Sequence, residues 1–150
     1  ALIGKKSEDL DERLGYYGES IVLLAQALGL RTCWVGLSFS KRKGRFDIKD
    51  GEKLRGVISL GYGKDNGRRH KSKNVYDFTE CVEPFPTWFA AGLDAALLAP
   101  TAMNQQKFRF IMQPDGVTAK ASWGFYTKMD LGIVKLHFEI GAGKENFKWV

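Results

Sequence analysis

The sequence A-P-T-A-M-N-Q-Q-K-F-R-F at residues 99–110 joins two elements of opposite character. Residues 88–99 are apolar almost all round, which predicts a buried helix that opens at Pro86 and stops at Pro100. Phe108 and Phe110 alternate with charged residues and predict the start of a strand. The loop between the two elements presents Thr, Asn and Gln side chains on a rigid base. Such a loop suits a planar heteroaromatic ligand, and an ordinary helix-to-strand connection has the same composition.

Downstream of this loop, the pattern predicts a hairpin and a helix. Residues 108–112 and 117–122 read as two strands that are joined through Pro114-Asp115-Gly116. The spacing of Thr127 and Asp130 resembles a capping box and predicts the start of a last helix. The apolar face predicted for that helix consists of Met129, Ile133, Leu136 and Ile140.

Upstream of the loop, apolar residues recur at helical spacing through residues 14–28. Asp11 is the predicted N-cap of this helix, and Gly29 is its predicted stop. Residues 32–35 and 54–60 read as short strands. The apolar positions predicted for the helix are Tyr17, Ile21, Leu24, Ala25 and Leu28.

The composition is that of one soluble globular domain covering residues 1–150. Hydrophobic residues make up 44% and charged residues 27% of the chain. The longest apolar stretch, residues 21–30, falls short of the roughly 20 residues that cross a bilayer. No signal peptide is recognisable, and Cys33 and Cys81 match no metal or redox spacing. We therefore expect a cytoplasmic protein without a membrane or metal partner.

Positive charge is concentrated in one segment. Residues 41–73 contain 12 Lys and Arg against 4 Asp and Glu, whereas the formal net charge of the whole chain is +6. Such a segment favours nucleic acid, an acidic membrane surface or a phosphate-bearing cofactor, and a solvated basic face is the plain alternative. Few aromatic residues interleave with these charges, which argues against binding of single-stranded nucleic acid by base stacking.

No catalytic acid–base pair or metal cluster stands out. Gly61, Gly63 and Gly67 are spaced one residue too widely for a dinucleotide-binding fingerprint, and His70 and His137 have no neighbouring ligands. Any chemistry would therefore be carried by a bound cofactor. A faint internal echo, in which residues 18–29 and 132–143 each begin and end with glycine, leaves open whether the chain contains a repeat.

Three sets of residues resemble the FMN-dependent nitroreductase family. The stretch at residues 99–110 resembles that family's A-P-S-x-x-N-x-Q-P-W-x-F signature. Residues 18–36, with their W-x-G ending, resemble its interface helix and following strand, and residues 58–62 with 71–73 resemble its closing strand and basic phosphate clamp. The order of these motifs is similar to that of a branch in which two half-domains are fused as a single-chain pseudo-dimer.

This resemblance implies an α+β fold with a central, mostly antiparallel sheet flanked by helices. It implies an oxidoreductase that uses NAD(P)H and FMN to reduce a small-molecule acceptor such as a nitroaromatic or a quinone, with no catalytic side chain. FMN would lie between two halves, of one chain or of a homodimer. The residues implied for the flavin ring and ribityl chain are Trp34, Val35, Gly36, Pro100, Thr101, Asn104 and Gln106, and those for the phosphate are Arg68, Arg69, Lys71 and Lys73.

The chain departs from the family pattern in three ways. Thr101 replaces Ser, Lys107-Phe108 replaces Pro-Trp, and an early arginine-rich R-S-x-R segment has no counterpart. The missing segment leads us to expect a fragment that lacks upstream sequence. Two other functions stay open, namely a basic nucleic-acid-binding module and a non-catalytic structural module built on a flavin-binding fold.

Overall fold

The computed structural model describes residues 1–40, 44–65, 67, 69–81 and 84–150. It confirms the α+β class. The strands are β1 Leu2–Lys5, β2 Arg31–Val35, β3 Glu52–Gly61, β4 Phe108–Gln113 and β5 Gly116–Ala121, and the helices are α1 Leu10–Ala27, α2 Thr87–Ala96 and α3 Thr127–Ala142. Short 3₁₀ turns span Val75–Phe78, Ala102–Asn104 and Lys144–Asn146. No helix in the described part of the chain is both long and apolar enough to cross a membrane.

The strands form two antiparallel sheets. In the three-stranded sheet, β3 lies between β1 and β2, and its pairing with β2 runs from Arg31 opposite Gly61 to Val35 opposite Val57. The second sheet is the predicted hairpin of β4 and β5. β1, which the sequence did not reveal, is only four residues long and pairs with β3 across a register shift. This arrangement places the end of β2 beside the helices.

Two glycines let α1 and α3 cross at backbone contact. A Cβ atom on Gly15 would lie 2.0 Å from the carbonyl oxygen of Met129, and one on Gly132 would lie 1.8 Å from that of Glu12. The contacts are reciprocal, because each glycine meets the carbonyl oxygen three residues before the other. At this crossing Gly132 is therefore paired with Gly15, whereas the sequence echo aligned it with Gly18. Gly18 instead makes room for the indole of Trp34.

The core is aromatic and lies between α2, α3 and the β4–β5 hairpin. Phe110 stacks on Phe138 with ring centroids 4.5 Å apart, and Phe78 stacks on Phe108 at 4.6 Å. Phe89 of α2 meets Phe138 edge-on. These rings are at most 3% exposed, so the helix, loop and strand around residues 99–110 rest on a packed base.

The helix of residues 14–28 was predicted correctly, but its apolar face was not. Four of the five predicted apolar positions are 51–68% exposed, and only Ala25 is buried. The buried residues of α1 are instead largely small or polar, because α1 approaches α3 and β2 through its glycines. We call the four exposed side chains the α1 stripe: Tyr17, Ile21, Leu24 and Leu28.

The helix ends also differ from those predicted. Asp9 rather than Asp11 precedes α1, and Asp11 forms an ion pair with Arg55. Tyr126 precedes α3 in a left-handed conformation, and the Asp130 carboxylate bonds to the loop after α2 instead of closing a capping box. Ile140 of the predicted α3 face is 62% exposed, and α2 ends at Ala96 rather than at residue 99.

Candidate functional site

A cavity of about 330 Å³ lies where the end of β2, the loop after α2 and the beginning of α3 meet. Its walls are mostly apolar, with a few polar groups, which is the composition of a small-molecule site. Residues 34–38 form one wall and residues 100–103 another. The rest of the lining comes from Gly56 and from the beginning of α3 with the two residues before it: Phe125, Tyr126, Met129, Asp130 and Ile133.

The end of β2 is held at two points. The indole N–H of Trp34 donates to Oε2 of Glu19 over 3.0 Å, and its ring lies in the space that Gly18 leaves. Two residues later, the hydroxyl of Tyr126 donates to the carbonyl of Gly36 over 2.8 Å. Glu19 lies in α1 and Tyr126 directly precedes α3, so this wall of the cavity is fixed by both helices.

A buried hydrogen bond between Glu19 and His137 supports Trp34 from behind. Glu19 is 1% exposed, and its second carboxylate oxygen lies 2.9 Å from Nε2 of His137 on α3. Both oxygens of Glu19 therefore have partners, as a buried carboxylate requires. His137 therefore links α3 to α1 through Glu19.

The loop after α2 is folded tightly and contains unusual backbone. Met103, Asn104 and Gln106 have φ values of 54°, 52° and 48°, in the left-handed region that disfavours residues with a side chain. The hydroxyl of Thr101 accepts a hydrogen bond from the backbone N–H of Gln106 and closes the loop on itself. Strained backbone of this kind persists where surrounding contacts determine it and is concentrated at functional sites.

Asp130 fastens this loop to α3 and faces the cavity. Its carboxylate accepts hydrogen bonds from the backbone N–H of Ala102 over 2.9 Å and from Nε2 of Gln105 over 2.7 Å. Burial raises the pKa of Asp130, although these two hydrogen bonds act in the opposite direction. Asp130 is therefore a buried acid that borders the cavity and also determines the position of its wall.

Residues 70–73, which we call the basic strap, are tied to the same loop from outside. His70 and Ser72 both bond to the carbonyl of Leu97. Nζ of Lys73 donates to the carbonyl of Gln105 over 2.8 Å, and its backbone N–H donates to Oε1 of Gln106. The strap therefore runs alongside the folded loop and is hydrogen-bonded to it.

The amides of Asn104 and Gln106 make the connection between the loop and the strap. Nδ2 of Asn104 and Nε2 of Gln106 both donate to the carbonyl of Lys71, over 2.9 and 2.7 Å. Gln106 also donates to Oδ1 of Asn104, and it is 4% exposed. These side chains therefore bond to the protein itself and lie outside the lining of the cavity.

The structure brings the predicted site residues into two groups. Five of them line the cavity, namely Trp34, Val35, Gly36, Pro100 and Thr101. Four others form the interlocked loop and strap beside the cavity, namely Lys71, Lys73, Asn104 and Gln106. The side chains of Lys73, Asn104 and Gln106 make hydrogen bonds there, and Lys71 takes part through its backbone carbonyl.

One predicted phosphate ligand that the structure describes, Arg69, joins neither group. Arg69 is exposed and does not line the cavity, and Arg68 lies outside the described residues. Sequence reasoning missed Tyr126 and Asp130, which both border the cavity. Asp130 carried a signal as a supposed capping residue, whereas nothing in the sequence marked Tyr126. Within the described ranges, no group of three or more His, Cys, Asp or Glu side chains could hold a metal ion.

Comparison with known proteins assigns the chain to a family. The chain belongs to the family described as "Putative TM nitroreductase", whose model matches residues 1–142. It is also similar to a solved structure described as a putative nitroreductase from Thermotoga maritima, with 24% sequence identity and a TM-score of 0.74. The match covers 94% of this chain and 58% of that chain, and at this identity it shows the fold alone. No protein in the curated comparison matches.

Proposed function

We propose that the chain forms the flavin-binding part of an oxidoreductase that passes hydride from NAD(P)H, through N5 of FMN, to an oxidised acceptor such as a nitroaromatic or a quinone. One observation carries the proposal. The W-x-G end of β2 and the A-P-T loop, which lie 65 residues apart from Gly36 to Thr101, form two walls of one cavity. The membership of a nitroreductase family supports the same reading.

The cavity residues fit a flavin ring. An isoalloxazine has an apolar, planar body and a polar edge, and the cavity combines apolar walls with the Thr101 hydroxyl, the backbone at Gly36 and the Asp130 carboxyl. Its volume of about 330 Å³ lies in the lower part of the range of small-molecule pockets, roughly 300–1,000 Å³. When bound, FMN would supply the hydride chemistry.

The chain's own residues would bind and orient the ring. Glu19 and Tyr126 keep Trp34 and Gly36 in place, so that the end of β2 presents a fixed surface. Met103, 92% exposed at the rim of the cavity, would shield the ring from water on the open side. A rigid wall of this kind lowers the entropic cost of binding.

The basic strap is the proposed phosphate site. Lys73 uses its ammonium group to bond two backbone carbonyls, and an ammonium has three donors in all, so one N–H can still point to an anion. Lys71 is exposed, and its backbone is fixed by Asn104 and Gln106. In this proposal Asn104 and Gln106 act through the strap, with Arg69 as an additional exposed cation.

Two further features of the protein agree with the proposal. Cys33 and Cys81 are free thiols, in keeping with a reducing cytoplasm in which NAD(P)H is available. The reciprocal crossing of α1 and α3 supports an internal two-fold relation between two halves, as a single-chain pseudo-dimer would have.

Titration of the purified chain with FMN and with riboflavin tests the proposal. We expect saturable quenching of flavin fluorescence with both ligands, and oxidation of NAD(P)H that requires FMN and a nitroaromatic acceptor. Substitution of Lys71→Ala and Lys73→Ala together should weaken FMN more than riboflavin by roughly 1.5–3 kcal/mol. The control replaces two exposed lysines of the hairpin region, Lys120→Ala and Lys148→Ala.

Each outcome has a distinct meaning. If the folded chain binds no flavin, the proposed function is overturned and the alternative of a non-catalytic structural module is favoured. Equal losses of FMN and riboflavin in the Lys71/Lys73 variant would move the phosphate away from the basic strap. Tight binding of nucleic acid that depends on the same lysines, without flavin binding, would favour the nucleic-acid module.

A further inference from the structure

Asp130 differs from the other buried acids in its partners. It is 3% exposed, and in the described part of the chain it bonds to neutral groups alone, the backbone N–H of Ala102 and the side-chain amide of Gln105. The other buried acids of the described residues each have an ionisable partner: Glu19 with His137 and Glu139 with Lys144. A buried carboxylate without a cation is costly in its charged form, so Asp130 tends to keep its proton.

The carboxyl group of Asp130 borders the cavity. Oδ1 accepts one hydrogen bond and Oδ2 another, and a carboxyl group has further lone pairs. A proton on Asp130 therefore occupies a lone pair that neither donor uses. Because the side chain is buried and lines the cavity, a ligand would reach this proton from the cavity. These contacts are internal to the chain and do not depend on what covers its surface.

The charged and titratable groups around Asp130 are engaged elsewhere. Tyr126, which also lines the cavity, donates its hydroxyl proton to the carbonyl of Gly36. Lys107, from the loop after α2, donates to the carbonyl of Trp123, and Lys128 of α3 is exposed. Other charged groups on the neighbouring elements have partners of their own: Lys73 with two loop carbonyls, Arg55 with Asp11, Lys135 with Glu12 and Arg13 with Asp9. No cation of the described residues therefore neutralises Asp130.

We propose that Asp130 is the proton donor for reduction of the acceptor, an inference that rests on the proposed function. The O–H bond of the Asp130 carboxyl breaks, and its electron pair stays on the carboxylate. A new O–H bond forms at an oxygen atom of the acceptor. The family resemblance implies no catalytic side chain, so this role adds a group of the protein to chemistry that the cofactor otherwise carries.

One proton from Asp130 balances the reaction. A quinone that receives one hydride, supplied by NAD(P)H through FMN, and one proton becomes the hydroquinone. A nitroaromatic that receives the same hydride and proton becomes the nitroso compound and water. Asp130 then regains its proton from solvent after the product has left. Burial raises the pKa of Asp130, so the acid form persists to higher pH than that of an exposed aspartate, as a general acid requires.

Gln105 provides a way to change the acidity of Asp130 without removing its carboxyl group. Its amide donates to Oδ2 of Asp130 over 2.7 Å and also to the carbonyl of Phe125. The bond to Asp130 stabilises the carboxylate and lowers the pKa of Asp130, in opposition to burial. Gln105→Leu removes this bond and should therefore raise the pKa of Asp130 further.

Stopped-flow oxidation of the FMN-loaded chain tests the proposal. The flavin is first reduced with NADPH and then mixed with 1,4-benzoquinone over a range of pH. We expect the rate to fall as pH rises through the pKa of Asp130. Asp130→Asn should lower the maximum rate by ~100-fold and abolish this fall, and Gln105→Leu should move the fall to higher pH. Asp94→Asn, at an exposed position of α2, is the matched control.

Carbon-13 NMR of the flavin-free chain gives a second measurement that does not depend on turnover. One aspartate carboxyl carbon should titrate above the ordinary range, be absent from Asp130→Asn and titrate still higher in Gln105→Leu. An Asp130 carboxyl that titrates in the ordinary range overturns the proposal.

The kinetic outcomes separate this role from the proposed function. If FMN does not bind or is not reduced by NADPH, the proposed function fails and the proton-donor role fails with it. If the flavin is bound and reduced but Asp130→Asn reacts like Asp94→Asn at every pH, the proton-donor role alone fails. Should Asp130→Asn be unfolded by circular dichroism, Gln105→Leu decides, since an unchanged pH dependence in that variant overturns the proposal.

Discussion

Replacement of Gln106 by Leu tests the interlocked loop and strap most directly. The Gln106 side chain makes three hydrogen bonds, to the backbone N–H of Lys73, to the carbonyl of Lys71 and to Oδ1 of Asn104. Leucine is similar in size but offers no donor or acceptor. Because Gln106 is 4% exposed, water cannot easily replace these bonds.

The expected loss of stability follows from these contacts. Each hydrogen bond contributes about 1 kcal/mol net, so three bonds amount to about 3 kcal/mol in the free energy of unfolding. The substitution keeps the left-handed backbone at the same position, so strain makes no large difference between the two proteins. Loosening of the strap should also weaken FMN more than riboflavin, since Lys71 and Lys73 would no longer be held.

Urea unfolding followed by tryptophan fluorescence measures the first effect, and paired flavin titrations measure the second. Gln113→Leu is the control, because Gln113 is an exposed glutamine at the end of β4, where substitution should cost within about 0.5 kcal/mol. If Gln106→Leu is as stable as the control variant, the strap is not fastened through Gln106. A folded variant that loses equal affinity for FMN and for riboflavin would contradict the assignment of the phosphate to the basic strap, but not the hydrogen bonds described for the loop.

Three further substitutions test the cavity and the helix crossing. Tyr126→Phe removes the hydrogen bond to the Gly36 carbonyl and should lower the free energy of unfolding by about 1 kcal/mol and weaken FMN binding, measured by urea unfolding and titration. Gly132→Ala places a Cβ atom 1.8 Å from a carbonyl oxygen of α1 and should lower the free energy of unfolding by about 3 kcal/mol or more. Gly61→Ala is the control and should be nearly neutral, because a Cβ atom there would have nothing within 4 Å. Equal melting temperatures of the two variants would contradict the described crossing of α1 and α3. Burial raises the pKa of Asp130, so the folded protein retains a proton longer than the unfolded chain and loses stability as pH rises from the unfolded to the folded pKa. Asp130→Asn should remove this decline, and parallel stability–pH curves for the two proteins would refute the assignment.

Helical periodicity predicted where α1 and α3 lie but identified their buried faces only in part. Met129 and Ile133 of the predicted α3 face are buried, whereas most of the apolar positions predicted for α1 are exposed. An apolar stripe has the same spacing whether it packs inside a domain or lies at the surface, so the periodicity at Tyr17 and Leu24 predicted a helix but could not show that both side chains are exposed. The contact that does bury α1 depends on Gly15, whose lack of a side chain produces no hydrophobic signal. The short strand β1 was missed for a similar reason, since four residues contain too little pattern.

Local motifs predicted the two walls of the cavity, whereas the contacts that hold them needed the structure. Trp34 and Thr101 were chosen from short motifs, and both line the cavity. Tyr126 was invisible in the sequence, because its hydroxyl reaches Gly36 only after α3 has packed beside β2. Asp130 was taken for a capping residue, since a sequence pattern cannot show that a folded loop offers better donors.

Backbone strain and hydrogen bonding together indicate that the cavity is preorganised. Among the described residues, the left-handed positions that are not glycine are Met103, Asn104, Gln106 and Tyr126, and all of them border the cavity or its loop. Each such position costs of order 1–3 kcal/mol and persists only where other contacts determine it. The bonds of Asn104 and Gln106 to the basic strap, and of Tyr126 to β2, are contacts of this kind. A chain that needed only to connect α2 with β4 would have no reason to keep this strain, so its concentration here favours a loop shaped to hold a ligand.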